Sequence, residues 1–80
     1  MDTKAFNALS LTQRWQQVQT YGTPVAKRNY RGFDVQLYAL HAIYAEVWRR
    51  AGLSMIEWIE VMPIQRVADV YGADLTDLHS

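Results

Sequence analysis

The side chains that could do chemistry in this 80-residue chain are few and scattered. A hydrolytic triad needs a nucleophile, a base and an orienting acid within hydrogen-bond reach of one another. The supply is Ser10, Ser54, Ser80, His41, His79 and eight carboxylates. None of the serines sits in a nucleophile elbow or a glycine-rich turn, and Ser10 and Ser54 read better as helix-cap or turn residues. Metal chemistry fares no better. His41 and His79 have no local HxxxH or HxH partner and there is no cysteine, while Asp69, Asp74 and Asp77 do not match the spacing of a calcium loop. The four glycines are isolated, so no phosphate-cradling loop precedes a helix. The expectation is a chain that is not an enzyme, with no catalytic residue, no metal and no cofactor.

One stretch does ask for a binding role. Lys27, Arg28 and Arg31 surround Tyr30 in AKRNYRG, and Arg49 and Arg50 can be brought near by a hairpin. Five cations and a stacking ring are the parts of a nucleic-acid contact. Strand alternation divides them, however: Lys27, Asn29 and Arg31 point to one side, Arg28 and Tyr30 to the other. The favoured reading is an edge strand whose charges block edge-to-edge pairing, with weak nucleic-acid binding as the alternative.

Composition bounds what can hold such residues in place. Half the residues are apolar and there is no disulfide to staple a thin core, so packing or association must stabilise it. Residues 1–50 carry seven Lys/Arg against three Asp/Glu, and residues 51–80 one against five, so the halves are +4 and −4. Such a balance gives no general drive toward polyanions. With no basic leader before an apolar stretch and no long uncharged run, a soluble cytoplasmic protein without a membrane segment is expected.

The pattern along the chain predicts a single α+β domain. Residues 1–8 read as an N-terminal arm. Leu11, Trp15 and Val18 recur at helical spacing, Ser10 suits the N-cap, and Gly22 with Pro24 ends the pattern, giving a helix over 10–21. Turn candidates Arg31-Gly32, His41-Ala42 and Ala51-Gly52 then fall ten residues apart between β-branched and aromatic runs. They mark an antiparallel β-meander of three to four strands over 23–62. His41-Ala42 is poor chemistry for a two-residue turn, which suggests a longer one there. If the chain does turn at 41 and 42, Leu40 faces Ile43, Tyr38 faces Ala45, Gln36 faces Val47, Asp34 faces Arg49 and Leu37 faces Glu46.

Residues 53–62 read either way: Ser54 to Glu57 forms a capping box, yet the strand pattern continues. As a strand after a tight turn, Glu57 would oppose Glu46; a longer loop over 50–54 puts Trp58 there instead. Pro63 then opens a short C-terminal helix over 63–71, and 72–80 is a tail.

The run Leu37-Tyr38-Ala39-Leu40, then Tyr44-Ala45-Glu46-Val47-Trp48, then Ile56, Ile59 and Glu60, resembles a group of small uncharacterised bacterial α+β proteins of about this length. The likeness covers residues 9–78, and its most specific element is the L-Y-x-L … Y-x-E-V-W spacing. It implies a strand beginning near Leu53, after a polar turn. Ala51-Gly52-Leu53 is less polar than the group's pattern, and Trp58 stands where the group tends to carry a charge. The group has no activity to carry over.

Tyr38, Tyr44, Trp48, Met55 and Trp58 exceed what two short helices can cover. They form the candidate interface for a protein partner, or for a homodimer joined through the sheet face or an edge strand.

Overall fold

A computed structural model describes residues 1–72. Seven elements follow one another: α1 (Thr3–Asn7), α2 (Leu11–Tyr21), β1 (Thr23–Tyr30), β2 (Phe33–Leu40), β3 (Ile43–Arg50), β4 (Ile56–Met62) and α3 (Ile64–Tyr71). The strands form one antiparallel sheet in the order β1-β2-β3-β4, the expected meander with four strands. The tail from residue 73 lies outside the described residues. No helix among the described residues is long and apolar enough to cross a membrane.

The N-terminal segment read as an arm is instead a helix. Asp2 caps it by accepting from the Ala5 N–H at 2.8 Å, and Phe6 is completely buried. Two adjacent apolar residues in five, Ala5 and Phe6, make no periodic signal, yet the second places a ring in the core. The second helix begins as expected at Ser10, and the cap is reciprocal: Ser10 Oγ accepts from the Gln13 N–H and Gln13 Oε1 from the Ser10 N–H. Gly22 ends α2 for a different reason than a left-handed cap. Its backbone is extended (φ −79°, ψ 141°), and a Cβ there would lie 2.5 Å from the Val18 carbonyl oxygen, so the strand leaves the helix too closely for any side chain.

The β2–β3 turn has two residues despite its chemistry, with His41 and Ala42 both at positive φ (49° and 63°). Tertiary contacts hold it: His41 Nε2 meets Gln17 Oε1 at 2.8 Å, and its ring packs against Tyr21 at 4.6 Å. The predicted β2–β3 register is found residue for residue. The β3–β4 loop is longer than two residues, as the clash argument required. The strand that follows starts at Ile56, however, and sets Glu46 opposite Glu60 rather than Trp58, with an irregularity between Trp48 and Arg49. The capping box at Ser54 does not form.

Each face of the sheet has its own core. On the α2 face, Phe6, Val18, Leu40, Ala45, Val47 and Ile59 pack together. On the α3 face, Leu37 and Met62 meet Val67 and Tyr71 of α3. At the end carrying the β1–β2 turn, Tyr30, Phe33 and Trp48 gather with Arg28, Arg31 and Arg50.

Candidate functional site

On the α3 face the central feature is a charge buried in the sheet. Glu46 in mid-β3 is fully buried, and Arg28 reaches across β2 to it, Nε to Oε2 at 3.0 Å and Nη2 to Oε1 at 3.3 Å. Tyr71 Oη donates to the same Oε2 at 2.6 Å, so α3 is tied to β1 and β3 through one carboxylate. The Glu46 hydrogen bond raises the Arg28 guanidinium above its usual pKa against the opposing effect of burial. Burial first, then the Glu46 carboxylate, pushes the Tyr71 hydroxyl above its usual range, so it stays a donor. With each member satisfied by the others, this is a brace rather than a proton-transfer site.

Around the brace the aromatic side chains are already occupied by cations of the same chain. Arg28 lies 5.2 Å from the Tyr30 ring centre and 5.3 Å from that of Trp48; Arg31 lies 5.3 Å from Tyr30 and Arg50 5.0 Å from Phe33. Trp48 also packs edge-on against Tyr30 and Phe33. Its indole N–H is buried with no acceptor among the described residues, and nothing around it explains why. Arg14 lies 4.9 Å over Trp58 while its guanidinium donates to the carbonyls of Asn7, Leu9 and Ile59. That clamp occupies the outer edge of β4, and Pro24 with the adjacent register shift interrupts the edge of β1. Each sheet edge is thus interrupted at one place, β4 at Ile59 and β1 at Pro24.

The basic residues singled out in the sequence do split between faces. Lys27 and Arg49 lie on the α2 face, while Arg28, Tyr30 and Arg50 lie on the α3 face. Arg31 departs from simple alternation: it sits in the turn at φ 47°, and its guanidinium covers Tyr30, so it joins the α3 side.

The five candidate interface residues do not form one surface. Tyr38 is packed on the α2 core and donates to Gln36 Oε1, and Tyr44 packs beside α3. Trp48 is half-buried, whereas Met55 is 71% and Trp58 48% exposed. Leu53, expected to begin the strand, instead precedes β4 in the loop and is 55% exposed beside them in the chain. Phe33, Trp48, Trp58, Glu57 and Glu60 line an open concavity of about 430 Å³ on this side. Glu57 is bridged to Arg50 at 3.4 Å, and Glu60 accepts from the Trp58 indole at 3.3 Å.

The Arg28–Glu46–Tyr71 brace was missed, although a lone glutamate inside YAEVW, two strands from an arginine on the same face, was its signal. Among the described residues no group of three metal-ligating side chains comes together. A scan against protein-family models gives no match, and searches of curated proteins and of solved structures give none either. The site is therefore read from its geometry.

Proposed function

We propose that this chain is a non-catalytic, cytoplasmic module that binds another protein through the β4 side of its α3 face. The supporting observation is the run of exposed apolar side chains Leu53, Met55 and Trp58 beside an aromatic concavity rimmed by Glu57 and Glu60. Large apolar groups bordered by charge are what protein contacts bury. The nucleic-acid reading loses ground here, because Tyr30, Phe33, Trp48 and Trp58 each already have a guanidinium beside the ring, which leaves less open aromatic surface for a base to stack on. Self-association is read as using this face as well, since each sheet edge is interrupted at one place.

Site-specific photo-crosslinking in cells tests the reading, using Trp58→p-benzoylphenylalanine with Gln65→p-benzoylphenylalanine on the exposed side of α3 as control. Adducts with a protein, a second copy included, from position 58 and not from position 65 are expected. Adducts with nucleic acid alone, or equal yields from both positions, would overturn it.

A further inference from the structure

The α2 face has an opening of its own, away from Trp58. At the β1–β2-turn end the sheet forms a trough of about 450 Å³, lined by Lys27 and Asn29 of β1, Asp34 and Gln36 of β2, and Arg49 of β3. Arg28 of β1 and Val35 of β2 also line it, and the alternation of side chains leaves Lys27, Asn29, Asp34, Gln36 and Arg49 on the trough side.

Two of the donors are fixed from outside. Arg49 is held 5.2 Å from the Trp15 ring centre, and Tyr38 Oη donates to Gln36 Oε1 at 3.0 Å, which leaves the Gln36 amide N–H groups as the free end. The remaining groups are open. Among the described residues Lys27, Asn29 and Asp34 have no side-chain hydrogen bond or ion pair. Asp34 faces Arg49 directly in the β2–β3 register, yet no ion pair joins them. Two cations and an amide donor, two of the three pre-oriented, thus stand beside one unneutralised carboxylate.

We propose that this trough binds a small zwitterion, a carboxylate with an ammonium a few atoms away, as in a free amino acid or a short peptide. Arg49, Lys27 and the Gln36 amide receive the carboxylate, and Asp34 receives the ammonium. A phosphate dianion has no cationic end to offer Asp34 and meets its charge instead. The site is on the opposite face from the protein-contact surface and stands independently of it.

The test is a two-dimensional ¹H–¹⁵N NMR titration of the full chain with glycine, glycylglycine, N-acetylglycine and inorganic phosphate. Saturable shifts with glycine or glycylglycine at Lys27, Asn29, Gln36 and the Arg49 side chain are expected, and the tighter of the two identifies the source. Lys27→Gln and Arg49→Gln should each weaken binding about tenfold. Asp34→Asn should abolish the preference over N-acetylglycine, and Trp58→Ala should leave binding unchanged. No saturable shift at these positions up to about 50 mM ligand, far weaker than any useful affinity, would overturn the proposal. So would phosphate binding as tightly as glycine.

Discussion

Two arginine–carboxylate neighbours occupy opposite faces of the same sheet, and only the more distant one pairs. Arg28 and Glu46 are separated by the whole of β2, yet their side chains meet at 3.0 Å. Asp34 and Arg49 are direct cross-strand partners and make no ion pair. The difference is solvent and competition. Tyr71 and α3 bury Glu46, so its charge must be met from within the protein, and Arg28 is the cation on that face able to reach it. Asp34 is exposed and loses little by keeping its water, while Arg49 is drawn to the Trp15 ring. Register decides which groups are neighbours; desolvation decides which neighbours bind.

Arg28→Met breaks that contrast most sharply, by leaving Glu46 buried without its cation. The expected loss is about 3 kcal/mol, read as a shift of the urea midpoint. Arg28→Met combined with Glu46→Leu should recover most of it, since the buried charge is then gone. Tyr71→Phe removes one charge-assisted hydrogen bond and should cost about 2 kcal/mol. The same hydroxyl sets an alkaline limit. Its folded-state pKa lies above the unfolded value of 10.0, so its contribution is fully present below pH 10 and falls as pH rises beyond it. Unfolding followed from pH 9 to 12 should show that decline in the native chain and a shallower one in Tyr71→Phe.

How much of this was legible in the sequence differs from strand to strand. The β2–β3 register could be written out only on the condition that the chain turns at His41 and Ala42; that two-residue turn forms, against the longer one their chemistry suggested, and alternation then fixes every pair. The β3–β4 register could not. The argument that glutamates avoid facing each other correctly lengthened the loop but misplaced the strand. The charge of Glu46 is taken up by an arginine two strands away, and Glu60 is turned to the Trp58 indole. The first contact joins residues 18 apart in sequence and is completed by Tyr71 of α3, so it shows only once the strands are placed; the second is local, between residues two apart on one strand face. Phe6 was hidden for the reason that hid the first contact, as was the use of His41 in a tight turn: its fitness lies in Gln17 and Tyr21, not in its own φ. For the candidate site, alternation correctly divided Lys27 from Arg28. It could not foresee that Tyr30, Phe33, Trp48 and Trp58 would each have an arginine beside the ring.

The exposed pair sharpens the comparison through smaller effects. Trp15→Leu removes the ring that holds Arg49, so the guanidinium is free to turn toward Asp34. A double-mutant cycle between Asp34→Asn and Arg49→Gln should then report a coupling of about 0.5 to 1 kcal/mol at low salt, fading as salt is added. In the native chain Trp15 keeps that interaction from forming. Asp34→Asn alone should therefore move the urea midpoint by no more than about 0.5 kcal/mol, with little response to salt. A native-chain effect as large as that of Tyr71→Phe would mean that Asp34 is already paired in solution. Competition from Trp15 would then be the wrong explanation for the open carboxylate.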